Sequence, residues 1–162
     1  MAGEGSLRLT PSEEPHQESV LETIAAEVEG WGTREGWGSS LIFKVNLVLD
    51  ELATNIIVHG GKERRRSPDI VIEVASRGDE VIIEISDDGR PFNPLSDAPP
   101  PPAVHENLED APVGGLGIHL VKNMVDSMSY RRENGRNRVT MTARREQPVP
   151  AATTSHRRRL ER

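Results

Sequence analysis

The chain has 162 residues, of which 35% are hydrophobic, 28% charged and only 3% aromatic, so it is sized for one domain with a core of Val, Ile, Leu and Ala. Its 20 basic and 26 acidic side chains leave a net charge of −6, the wrong sign for a protein that lives on phosphate backbones, and no nucleic-acid partner is expected. The absence of cysteine excludes disulfides, thiolate metal sites and a cysteine nucleophile, and no run approaches the ~18 apolar residues of a membrane span, so the expectation is a cytoplasmic protein without a membrane partner.

In chain order, 6–9 reads as a short first strand. Residues 15–31 follow as an amphipathic helix, with Val20, Ile24 and Val28 spaced by four. A second helix starts near Ser39 or Ser40, steps its apolar positions Leu41, Val45, Val48, Leu49, Leu52 and Ile56 by three and four, and ends at Gly60 and Gly61. The run KERRR at 62–66 reads as a solvated turn. The period then changes to two, and 70–75 and 81–86, separated by Arg77-Gly78-Asp79, form an antiparallel hairpin. The stretch 88–113 holds seven of the twelve prolines and cannot propagate a helix or a ladder, which makes it a long loop and a candidate cover for a site. A third helix is marked by Ile118, Val121, Met124, Val125 and Met128, followed by strands 129–133 and 138–143 around Asn134-Gly135. Residues 147–162, with two prolines and a terminal arginine cluster, are expected to be a disordered tail. The order β, α, α, β, β, loop, α, β, β lacks strict alternation and predicts an α+β layer with a largely antiparallel sheet.

Three constellations could carry chemistry. On the second helix, Glu51, Asn55 and His59 recur every four residues and share one face. A carboxylate and a carboxamide one turn apart suit Mg²⁺ fed by phosphate oxygens, because that ion takes few protein oxygens, although a solvated helix face explains the same spacing. In the second hairpin strand, Asp87 shares a face with Val81, Ile83 and Ile85. It either begins a turn or serves as acceptor for a purine amino group in an aliphatic pocket, with Gly89 allowing close backbone approach. Finally, Gly114-Gly115-Leu116-Gly117 opens the third helix, where free N–H groups and the helix dipole suit phosphate; a hinge closing the long loop is the alternative.

Taken together, these motifs resemble the GHKL ATP-binding superfamily, and most closely its anti-sigma-factor serine kinase branch. ELATNIIVHG resembles the N box, DDGRPFNP the first glycine box and GGLGIHLVKNMVD the second, and the likeness spans 7–143. The resemblance implies a two-layer α/β sandwich, the Bergerat or histidine kinase-like ATPase fold, with helices on one face of a mixed, mostly antiparallel sheet, over a domain at 1–146. It further implies ATP and Mg²⁺ as cofactors, Asn55 on the metal, Glu51 as catalytic base, Asp87 on the adenine amino group and Gly89 beside the base. Gly115, Leu116 and Gly117 would wrap the phosphates beneath 88–113 acting as ATP lid. The implied partners are a sigma factor and an anti-anti-sigma protein of STAS type, with a possible homodimer. Two departures stand out: Pro91 replaces the second glycine of D-x-G-x-G, and Gly60 and Gly61 follow His59 where an aromatic residue is common. His59 is given no catalytic role. The alternatives are an ATP-binding regulatory module without phosphotransfer and a catalytic domain acting on a separate histidine phosphoacceptor.

Overall fold

The computed structural model describes residues 5–9, 17–60, 68–97 and 115–145. Its elements are β1 (Gly5–Leu9), α1 (Gln17–Arg34), α2 (Ser39–Gly60), β2 (Ile70–Arg77), β3 (Glu80–Asp87), α3 (Gly115–Met124), β4 (Ser127–Glu133) and β5 (Arg136–Arg144). The predicted order holds throughout. Boundaries move at two helices: α1 runs on to Arg34, and α3 stops at Met124, so Val125 lies beyond it and Met128 belongs to β4, paired with Met141. The expected tail at 147–162 and the turn at 62–66 lie outside the described residues.

The strands form one sheet in the order β1-β2-β3-β5-β4, and each of the four ladders is antiparallel, so the mixed sheet implied by the resemblance is purely antiparallel among the described residues. Alternation dictates which side is covered. Ile70, Ile72 and Val74 on β2, Val81, Ile83 and Ile85 on β3, and Val139, Met141 and Ala143 on β5 are buried. The intervening positions carry Glu73, Glu84, Arg138, Thr140 and Thr142, and there Glu84 accepts from Arg138 Nη1 at 2.6 Å and Thr140 Oγ1 at 3.2 Å. On the buried side α2 lies against β3, flanked by α1 and α3, and its stripe Leu41, Val45, Val48, Leu49, Leu52 and Ala53 meets the sheet. This is the two-layer sandwich.

Local chemistry sets the joints. Gly36 takes φ +74°, and the bonds Trp37 N–H to Gly32 O (2.9 Å) and Gly36 N–H to Thr33 O (3.1 Å) close α1 in a Schellman motif. The turn delivers Trp37 edge-on to Trp31, ring centres 5.1 Å apart and planes at 82°, which locks α1 to α2. Between β4 and β5, Asn134 and Gly135 both have positive φ, the type I′ pair that matches strand twist.

Candidate functional site

α2 and the two central strands converge at one end of the sandwich. Asp87 is the last residue of β3, the middle strand, paired with Ile70 on one side and Asn137 on the other. Because Val81, Ile83 and Ile85 point into the core, parity sends Asp87 inward too, and it is 5% exposed. A recess partly open to solvent lies over it, walled by aliphatic groups such as Leu52, Ile56, Ile85 and Val139 and by the polar Asn55. Burial pushes the Asp87 carboxyl above its ordinary value of 3.8, opposed by bonds from Asn137 and the Gly89 N–H and by the Arg136 guanidinium, while Asp88 adds to the rise.

The backbone folds tightly around this carboxylate. Gly89 N–H donates to Asp87 Oδ1 at 2.9 Å, and a Cβ on Gly89 would stand 2.7 Å from that oxygen and 3.1 Å from the Gly60 Cα. Gly60 in turn has Pro68 Cγ at 3.0 Å from where a Cβ would be. The glycine after His59 therefore has a local cause: the end of α2 and the exit of β3 touch backbone to backbone. His59 becomes a wall, stacked on Phe92 with ring centres 5.8 Å apart, and its carbonyl accepts from Arg90 Nε at 3.1 Å.

Asn55, 8% exposed, lines the same recess, and among the described residues no side-chain bond engages its carboxamide. One turn earlier on α2, Glu51 reaches the start of α3, where a Cβ on Gly117 would collide with its carboxylate. Burial first, and Asp50 second, push the Glu51 carboxyl above its ordinary value. Gly115 is the first residue of α3 and Leu116 follows it; the Leu116 side chain and Gly114 lie outside the described residues. Asn55 and Asp87 thus line the recess, while Glu51, one turn before Asn55 on α2, meets the first turn of α3 at Gly117. The donor set fits Mg²⁺ in one sense only. Among the described residues no cluster of three His, Asp or Glu side chains could cage an ion, so Asn55 would hold one whose remaining ligands are phosphate oxygens and water.

Residues 88–97 of the expected lid are folded onto the site. Asn93 N–H bonds Asp97 Oδ2 at 2.7 Å and Leu95 N–H bonds Asn93 Oδ1 at 2.9 Å, while Lys122 of α3 donates to Leu95 O at 3.1 Å. Residues 98–113 lie outside the described residues. One side chain lining the recess was not singled out from the sequence: Asn137, 4% exposed, which donates to Asp87. Its signal was present as a polar residue in register with the inward-facing Val139, Met141 and Ala143.

A family model described as the histidine kinase-like ATPase domain matches residues 15–143. The chain belongs to this family. The ATPase domain is 30% identical over 129 residues to the serine/threonine-protein kinase BtrW of Bordetella bronchiseptica, covering 77% of this chain and 89% of that one. It is 25% identical over 123 residues to the serine-protein kinase RsbW of Bacillus mycoides, covering 75% and 76% of the two chains. Among solved structures, the RsbU and RsbW domains of Rv1364c from Mycobacterium tuberculosis superpose with a TM-score of 0.62 over 90% of this chain and 34% of that longer one, at 18% identity, a likeness of fold. No described helix of the ATPase domain is long and apolar enough to cross a membrane.

Proposed function

We propose that the chain is a Mg²⁺-ATP-dependent serine kinase of the anti-sigma type, which binds a sigma factor and phosphorylates a serine of a STAS-type anti-anti-sigma protein. The observation that carries this reading is the buried Asp87 carboxylate at the floor of an aliphatic recess, connected along α2 through Asn55 and Glu51 to the glycine-rich start of α3. An acceptor with no apolar alternative suits the adenine amino group. The first N–H groups of α3 suit phosphate. Asn55 would hold a bound Mg²⁺, which would neutralise phosphate charge during transfer. Glu51 accepts the proton of the attacking serine hydroxyl as its oxygen bonds the γ-phosphorus and the bond to the β-phosphate oxygen breaks, releasing ADP; the raised affinity of Glu51 for protons suits that task. The names of the curated relatives support the kinase class. The lid role of 98–113 belongs to the same proposal.

The test is incubation with γ-labelled ATP, Mg²⁺ and a soluble extract of the source organism. Acid-stable label on serine in one small protein is the expected result. Tight ATP binding without any transfer would make the chain a regulatory module, and acid-labile label on histidine would make it the catalytic partner of a separate phosphoacceptor chain.

A further inference from the structure

We propose that Asn137 is a positioning residue: it fixes the Asp87 carboxylate so that one oxygen alone is presented to the recess, and thereby sets the preference for a 6-aminopurine nucleotide. The inference rests on the reading of Asp87 as the adenine acceptor and adds a second residue, on another strand, to base selection.

The five bonds of Asn137 allow a single orientation of its amide. Nδ2 donates to Asp87 Oδ1 at 3.1 Å and to Arg90 O at 2.8 Å, both pure acceptors. Oδ1 accepts from Tyr130 OH at 2.8 Å, Arg132 Nη1 at 2.9 Å and Phe92 N–H at 3.3 Å, all donors. A flipped amide would face donor to donor three times and acceptor to acceptor twice, so the geometry rejects it. Asp87 Oδ1 is then occupied by two donors, Asn137 Nδ2 and the Gly89 N–H at 2.9 Å. Oδ2 is left as the acceptor for a ligand donor. The same amide holds the recess wall, because Arg90 and Phe92 are tied to Asn137 through their backbones and Arg132 also bonds Gly89 O at 3.2 Å. Base acceptor and base wall are therefore set by one side chain.

The experiment compares wild type, Asn137→Leu, Asn137→Ala and Asn137→Thr by calorimetry with two probes, Mg²⁺-ATP and the Mg²⁺ complex of purine riboside triphosphate, which lacks only the 6-amino group. Thermal melts establish that each variant is folded, and Asn137→Ala serves where the larger Leu is not accepted. Wild type should favour ATP by about 10- to 150-fold, the range for a hydrogen bond to a charged group. The Leu or Ala variant should lower that ratio to about threefold or less. The Thr variant, whose hydroxyl both donates and accepts on a β-branched frame suited to a strand, should restore it to at least half of wild type. Two results overturn the proposal: a folded Leu or Ala variant that binds both probes more weakly at an unchanged ratio, which is the mark of a merely structural residue, or a Thr variant as indifferent as the Leu one. A wild type that does not distinguish the probes overturns the adenine assignment of Asp87, and with it any selectivity for Asn137 to set.

Discussion

Two carboxylates in this site are pushed in the same direction by burial and are expected to respond differently to removal. Asp87 has a folded-state pKa above its ordinary 3.8, so the folded state holds its proton more tightly than the unfolded chain does. Its favourable contribution is complete below that ordinary value and is lost as pH rises through the raised folded value. Where the folded chain holds Asp87 ionised, its buried charge is therefore a cost to the fold that serves binding. Asp87→Asn keeps a carbonyl oxygen for the Gly89 and Asn137 donors, so its melting temperature without nucleotide should equal or exceed that of wild type. The thermal shift with Mg²⁺-ATP should largely vanish, against about 2.7 kcal/mol for wild type at 100 times its dissociation constant. A full shift in the variant would remove Asp87 from the site. Glu51 is half-buried, and its raised pKa predicts that the transfer rate falls as pH drops through that value, since only the ionised form accepts a proton. Glu51→Gln should bind Mg²⁺-ATP nearly as wild type, transfer phosphate about 10² to 10⁴-fold more slowly and lose the acidic limb of the profile, as single-turnover assays across pH would show.

At the scale of elements, the junction between α2 and α3 is the place where packing and chemistry compete. The Glu51 carboxylate occupies the space a Cβ on Gly117 would need, and Glu51 is a flexible side chain that can be displaced. Gly117→Ala should accordingly leave the fold intact or raise its stability by up to about 1 kcal/mol through helix propensity, while shifting Glu51 away from the α3 N-terminus. The expected signature is an unchanged or higher melting temperature with slower phosphotransfer. A variant that keeps wild-type transfer would show that the close approach of α2 and α3 is incidental. The hairpin joining β4 to β5 answers the opposite way: Gly135 holds φ +75° in a type I′ turn, so Gly135→Ala should cost stability, about 1 kcal/mol by denaturant titration, without touching nucleotide affinity.

At the scale of the whole molecule, β3 is the axis of the sandwich, flanked on both sides by strands and covered by α2. Ile83, midway along it and fully buried, is not among the residues that wall the recess. Ile83→Ala should cost about 2 to 5 kcal/mol through lost burial and the cavity left behind, lowering the melting temperature by roughly 4 to 20 °C. The additional shift on adding Mg²⁺-ATP should stay as in wild type, so calorimetric melts with and without nucleotide separate a core defect from a site defect.

The sequence by itself determined the element order, the side of each strand that is buried and the inward direction of Asp87. Those follow from the periods of two and 3.6 and from turn chemistry such as Asn134-Gly135, all of which act between residues near one another in the chain. The spacing of Glu51 and Asn55 on α2 was legible for the same reason. Met128 was misplaced because an apolar residue at helical spacing fits a helix and a neighbouring strand equally well, and only pairing with Met141 decides between them. Asn137 was not singled out as a site residue. Parity with Val139 marks it as an inward-facing polar residue, but it lies 50 residues from Asp87, and only the alignment of β3 and β5 makes the two partners. The Gly60 and Gly89 contact and the meeting of Glu51 with Gly117 likewise exist only once α2 is laid across the sheet and against α3. Periodicity sets which face a residue takes, whereas its partners across that face are decided by strand register and helix docking, which are tertiary.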